Sequence, residues 1–366
     1  MPTFPDNSGF PRETSPNSVV APPRAPQMRG PTPVAASQKD VFELSDSLTA
    51  RRERGVHVPP RSTRQQVKDF LGWGFGRPVR LVGQTLASVL PLSVLTDTMV
   101  YPSWSCDVDE RCLTRARDRL AQRFEGERVK IPIQGYALGT VPTCGSSEKL
   151  DGMYFQAKGP LTDKTVLFCN PNAGFYETCG DVVDFYRNQL GCNVLLFNYR
   201  GAGASESRPT TDRTLHDMED IYDWLVTHKE IQEKDLLVHG RSVGGVHAAS
   251  LASAHPRITL VCDRTFENLA SAANGMYGGG VGGALFSGLA YTFSSNELST
   301  HQLYQQVKGN KVCVADHNDE MFENYRGEGG DLIELNSTTR YSHNRLELTL
   351  GCPLFKKWVT QKFLVT

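Results

Sequence analysis

One serine in the chain stands where a nucleophile could be made. The apolar run Leu236-Leu237-Val238-His239 leads straight into Gly240-Arg241-Ser242-Val243-Gly244, and the small-residue stretch Val246 to Ala254 follows. Gly-x-Ser-x-Gly between a buried strand and a helix is the setting of a nucleophile elbow. The two glycines keep side chains out of the tight crossing of strand and helix, and the helix N-terminus aims its dipole at the hydroxyl. A serine hydroxyl also needs a base to take its proton and an acid to orient that base. The chemistry of such a set is acyl transfer: attack on an ester or thioester carbonyl, then hydrolysis of the acyl-enzyme.

On an elbow of this kind the acid and then the histidine follow in chain order. Downstream, Lys311-Val312-Cys313-Val314-Ala315 reads as a strand and ends in Asp316-His317-Asn318-Asp319-Glu320. Asp319 has the best offset for the acid, with Asp316 the runner-up and Glu320 the third choice. The base is expected in the loop after the last strand, which is Leu332-Ile333-Glu334-Leu335; His343 lies there and is the only histidine after His317. His317 precedes that strand and reads as a neighbour of the acid. The oxyanion of a tetrahedral intermediate needs two backbone N–H donors. Val243 is expected to supply one. Asn172 supplies the other from the loop after Val166-Leu167-Phe168-Cys169, with Ala173 the near alternative. Arg241, Phe175 and Tyr176 flank these donors and are candidates for substrate contact.

Three segments in order carry a resemblance: Asn172-Ala173-Gly174-Phe175-Tyr176-Glu177, Asn198-Tyr199-Arg200-Gly201-Ala202-Gly203-Ala204-Ser205, and Gly240-Arg241-Ser242-Val243-Gly244. Over roughly residues 160–345 the chain resembles the α/β-hydrolase superfamily, in particular its phosphatidylserine-lipase-type and depalmitoylase-type members. The resemblance implies a serine hydrolase acting on lipid esters or acyl thioesters, with Ser242, Asp319 and His343 on the triad positions. Some relatives place the acid after the sixth strand, where this chain has Asp263; Asp263-Arg264 is read here as a charge pair at the edge of the site. The membrane-bound members carry spanning helices that this sequence lacks. The alternative function is a hydrolase-like binding or interaction protein without turnover.

The elements that must position these residues begin after Glu127. Strands are expected at 128–133, 152–157, 165–170, 193–199, 235–239, 258–263, 311–315 and 331–335. Helices are expected at 176–190, 213–228, 243–254, 265–275, 298–308 and 353–363. Continuous apolar runs such as Val194-Leu195-Leu196-Phe197 are how strands buried on both faces of a parallel sheet read. The alternation predicts an α/β fold: a mostly parallel eight-stranded sheet with helices on both faces, in one domain over 127–366. Within it, 264–310 is a small cap whose Met276, Tyr277, Leu285, Phe286, Leu289, Tyr291 and Phe293 would suit an acyl chain.

The rest of the chain is of another texture. Nine of the 21 prolines fall in residues 1–40, and Arg51, Arg52, Arg54, Arg61 and Arg64 crowd the next stretch, so 1–66 is expected to be a disordered leader. Such a Pro/Ser-rich start without a Sec signal also resembles the secretion leaders of bacterial effectors. A helical extension is expected over 67–126, with an uncharged stretch from Leu81 to Thr96 and an acid-opened, arginine-closed helix in 107–125. If the protein touches a membrane peripherally, this extension is where contact is expected. The net charge of −1 excludes a nucleic-acid binder that relies on bulk positive charge. No apolar run reaches spanning length, so a cytoplasmic or peripheral location is expected.

Nine scattered cysteines read as reduced core thiols, and no His/Cys spacing makes a metal site, so neither metal nor cofactor is expected. Gly278, Gly280 and Gly283 match Gly-x-Gly-x-x-Gly, but no strand precedes them. They read as a mobile segment or part of the cap.

Overall fold

The computed structural model describes residues 100–101, 109–137, 141–158, 163–276, 280–293, 298–338 and 341–365. The expected leader over 1–66 and the uncharged stretch 81–96 lie outside the described residues, as does Tyr277. The first full element is α1 (Glu110–Phe124), capped by the Asp109 carboxylate, which accepts from the Arg111 N–H at 2.9 Å. It ends with Arg123 in its last turn, as the charge pattern of 107–125 implied.

Eight strands follow: β1 (Glu127–Ala137), β2 (Val141–Phe155), β3 (Thr165–Cys169), β4 (Asn193–Phe197), β5 (Leu236–Arg241), β6 (Thr259–Asp263), β7 (Lys311–Asp316) and β8 (Asp331–Leu335). They form one sheet in the order β1-β2-β4-β3-β5-β6-β7-β8. The β1–β2 and β2–β4 pairs are antiparallel and every other pair is parallel. Helices cover both faces, as the alternating texture requires. These are α2 (Gly180–Val183), α3 (Arg213–Lys229), α4 (Val243–Ala254), α5 (Leu269–Met276), α6 (Gly280–Phe293), α7 (Thr300–Gln306), α8 (Glu347–Leu350) and α9 (Pro353–Val359).

The period-two side-chain alternation of a strand divides the core into two layers. Leu195 and Phe197 of β4 join Met218 and Ile221 of α3 and Val246 and Ala249 of α4 on one face. Val194 and Leu196 join Leu120 and Phe124 of α1, Val182 of α2 and Phe355 of α9 on the other. The two clusters together enclose the central strands, and β3, β4, β5 and β6 are buried along their whole length.

Three expectations shift. The first two strands run longer than their apolar stretches. Antiparallel pairing from Glu127↔Tyr154 to Ala137↔Val141, with a bulge between Gln134 and Tyr136, recruits polar residues that periodicity alone does not mark. The helix expected over 176–190 is broken into a 3₁₀ turn at Tyr176–Thr178, the short α2 and a π-type turn at Asp184–Gln189. The glycine run, read as a mobile segment or cap, is helical from Gly280 onward. Gly283 permits this helix to lie against α5, because a Cβ there would sit 2.6 Å from Asn274 Oδ1.

Candidate active site

Ser242 lies between the last residue of β5 and the first of α4, with φ 55° and ψ −121°, a strained conformation for a residue with a side chain. The flanking glycines make room for it. A Cβ on Gly240 would lie 2.1 Å from the Gly244 carbonyl oxygen, and one on Gly244 would lie 2.2 Å from that of Cys169. Neither site accepts a side chain. The turn is secured by the Ser242 N–H donating to the Asp263 carbonyl at 3.0 Å and by Thr265 Oγ1 donating to the Ser242 carbonyl at 2.7 Å.

His343 Nε2 is 3.1 Å from Ser242 Oγ, and its Nδ1 is 2.7 Å from Asp319 Oδ2. A carboxylate only accepts, so Nδ1 carries the proton and Nε2 is free to take one from the serine. Ser242 and His343 are buried, as is the side chain of Asp319, and the Phe322 ring meets the imidazole edge-on with centroids 4.9 Å apart. Burial pushes the Asp319 carboxyl up. The charge and hydrogen bond of His343, with donors from Asn324 and the Met321 N–H, outweigh burial and hold it below the usual carboxylate value. The remaining backbone of the histidine is also engaged: its N–H donates to Glu320 Oε2 at 3.2 Å.

The other acids are occupied elsewhere. Asp316 accepts from the Asn318 N–H at the end of β7. Asp263 is fully buried between Arg264 and Thr349, with its carboxyl held well below the usual range: burial raises it, and Arg264 and His239 more than reverse that. Asp263-Arg264 is thus an internal pair in the wall of the site. Glu320, the third choice, holds the backbone of His343 where Asp319 holds the ring.

Val243 is the first residue of α4, where a backbone N–H has no partner within the helix. Asn172 and Ala173 form the turn after β3, closed by the Gly174 N–H to the Pro171 carbonyl at 3.0 Å, with Ala173 at φ 57°. That loop abuts the elbow, since Gly244 packs on the backbone of Cys169 and Asn170. Asn170 anchors it, donating to the Phe197 carbonyl at 2.7 Å and accepting from Tyr199 at its own carbonyl.

The residues expected to contact substrate are engaged within the fold. The Tyr176 ring is fully buried and its hydroxyl is spent on Arg117 and Asp151, 2.9 and 3.0 Å away, in a network that docks α1 onto the sheet. Phe175 is buried against Leu113 and Ala202. Arg241 is buried too, and its guanidinium turns to the carbonyl of His343. Burial and the neighbouring Arg264 cation bring the Arg241 guanidinium down to about 10. Sequence reasoning missed Asn324, Phe322, Thr265 and Thr349. They lie in three separate segments, and no motif links them. Among the described residues, no three His, Cys, Asp or Glu side chains gather at metal-binding range, and no helix is long and apolar enough to cross a membrane.

Comparison with known proteins agrees with this architecture. Residues 165–273 match the family described as alpha/beta hydrolase fold. An alpha/beta hydrolase domain-containing protein of Arabidopsis thaliana, WAV2, is 32% identical over 119 residues, covering 32% of this chain and 37% of the relative. The human phosphatidylserine lipase ABHD16A is 26% identical over 161 residues, covering 43% of this chain and 26% of the relative. The chain therefore spans well under half the length of either relative. Among solved structures, an alpha-beta hydrolase from Vibrio vulnificus superposes with a TM-score of 0.51 at 19% identity, over 76% of this chain and 92% of the other. With the elbow, the sheet order and the matched segment coinciding on the same strands, the chain has the α/β-hydrolase fold.

Proposed function

We propose that the protein is a serine hydrolase that cleaves an ester or thioester, with a lipid ester or acyl thioester as the substrate class. The observation that carries this reading is the unbroken hydrogen-bonded chain from Ser242 Oγ through the His343 ring to Asp319. In the proposed cycle Ser242 Oγ attacks the carbonyl carbon while His343 Nε2 takes its proton. The tetrahedral oxyanion is held by the N–H of Val243 and a second from Asn172 or Ala173. Its collapse expels the alcohol or thiol, which receives the proton from His343. A water, deprotonated by the same imidazole, then releases the acid and regenerates Ser242.

The cap supports an apolar acyl group. Phe322, beside the imidazole, packs under Gly275 of α5, where a Cβ would lie 2.8 Å from its own Cβ. Helix α6 packs on α5 in turn, and it exposes Val281 and Leu285 in a stretch with no charged residue from 278 to 296. A relative is named a phosphatidylserine lipase, which agrees with an acyl substrate. Peripheral membrane contact through 67–126 belongs to the same proposal.

Labelling with a fluorophosphonate probe, followed by a panel of p-nitrophenyl esters, acyl thioesters and phospholipids, tests the reading. Wild type is expected to take up the probe and turn over at least one class, and Ser242→Ala to do neither. Unchanged labelling of Ser242→Ala would sink the assignment. No labelling and no turnover by wild type would leave a hydrolase-like binding protein.

A further inference from the structure

The imidazole of His343 must meet two partners at once, yet residues 341–346 carry neither helix nor strand to hold it there. Two buried arginines reach this turn from adjacent strands. Arg241 ends β5, and Arg264 directly follows β6; Arg241 and Asp263 are paired across the two strands. Arg241 Nη2 donates to the carbonyl of His343 itself. Arg264 Nη1 donates to the carbonyl of Ser342 and, at 2.9 Å, to that of Arg345.

Arg264 is built in as an anchor. Its Nε and Nη2 bond Asp263 at 2.9 and 3.2 Å, and Nη2 also bonds Thr349 Oγ1 at 3.0 Å. A guanidinium has five N–H donors, and every one of them is used. The residue is 0% exposed and sits at φ 45°, a backbone conformation that persists in a non-glycine residue only where the surroundings enforce it. Arg241 is different. It has no carboxylate in hydrogen-bond contact, and its Nε is buried without a partner, so the His343 carbonyl is its principal grip. A buried charge held in this way is costly, and packing alone would be served as well by an apolar side chain.

We infer that Arg241 and Arg264 are positioning residues, a two-guanidinium clamp on the carbonyls of Ser342, His343 and Arg345 that keeps the imidazole in line between Ser242 and Asp319. The clamp rests on the hydrolase reading for its consequence, though not for its geometry. A guanidinium fork fixes direction as well as distance, which a lysine ammonium does not. A misplacement of about 1 Å in such a group costs on the order of a hundredfold in rate.

Arg241→Met, Arg241→Lys and Arg264→Met are compared with wild type and Ser242→Ala. The measurements are steady-state kinetics on an ester that wild type turns over, and hydrogen–deuterium exchange across the chain. Arg241→Met is expected to lose on the order of a hundredfold in kcat with KM changed by less than about twofold. Its amides over 341–346 should exchange faster while β5, β6 and β7 stay protected. Millimolar guanidinium in the assay should restore about tenfold of the lost rate. Arg241→Lys should stay well below wild type. A purely structural role predicts none of the rescue and no selective loss of protection in the turn.

A folded Arg241→Met protein with wild-type kcat and an unchanged exchange profile overturns the clamp. So does a loss of activity that tracks the loss of folded protein and resists guanidinium. Should Arg264→Met fail to fold, Arg241→Met decides alone. Should wild type and Ser242→Ala behave alike on every substrate, the hydrolase reading has failed, and exchange over 341–346 judges the clamp by itself.

Discussion

Four acids lie within reach of the site by sequence, and their surroundings separate them. Only Asp319 meets the Nδ1 of His343, at 2.7 Å, while Asn324 and the Met321 N–H also donate to its carboxylate. An asparagine there keeps the shape but offers Nδ1 an amide that can impose the wrong tautomer. Asp319→Asn is therefore expected to lower kcat by as much as about ten-thousand-fold, with little change in KM. Asp263 has its oxygens on Arg264 and Thr349 instead. Asp263→Asn strips a buried cation of its partner, which costs about 3–5 kcal/mol of stability. Urea denaturation should register that loss, and the fall in kcat should be far smaller than for Asp319→Asn. Equal kinetic losses in the two variants would remove the distinction between them.

At the scale of elements, the strand-elbow-helix unit depends on backbones that touch. The Cβ of an alanine at 240 would meet the Gly244 carbonyl oxygen at 2.1 Å, a contact that backbone alone can relieve. Gly240→Ala is thus expected to cost about 3 kcal/mol or more, seen as a lower denaturation midpoint at unchanged m-value. The elbow was readable in the sequence because one strand, two glycines and one helix are contiguous, and Asp319 and His343 could be proposed as acid and base because their order along the chain follows the strands. The central strands β3, β4, β5 and β6 were readable for a related reason: strands buried on both faces are continuous apolar runs. The first hairpin overran its expected limits because polar pairs such as Gln134↔Ser147 leave no apolar trace. The helix over Gly280–Phe293 was hidden by its glycines, of which Gly283 serves close packing on α5. The Tyr176 network was not readable because its partners, Arg117 and Asp151, lie on elements far away in sequence. Contacts of that kind are set by topology, and no local spacing encodes them.

Across the molecule, the chain preceding α1 is tied to the elbow through one buried histidine. The Tyr101 ring packs against both Tyr199 and His247, its hydroxyl 2.6 Å from Thr214 Oγ1 and 3.1 Å from His247 Nε2. His247 Nδ1 donates to the carbonyl of Val243, the first residue of α4, at 3.0 Å. The ring is fully buried with no carboxylate in hydrogen-bond contact, and burial brings its pKa from 6.5 down to about 4. Between those values the unfolded chain binds a proton that the folded protein refuses. Stability from this group is therefore complete above pH 6.5, falls as the pH drops toward about 4, and levels off below. The full loss is on the order of 3 kcal/mol. Asp151, Asp263 and Asp319 are held below their ordinary value, so they surrender stability only at lower pH, below 3.8. Glu177 and Asp217 are raised by burial and act in the opposite sense, so the contribution of His247 is read as a difference. Denaturation of wild type and His247→Gln at pH 7 and pH 4.5 supplies it: wild type should lose more stability than the variant over that interval, by roughly 2–3 kcal/mol. Parallel losses in the two proteins would mean that His247 is charged in the fold, and that the tie from Tyr101 to the elbow is not a neutral hydrogen-bonded one.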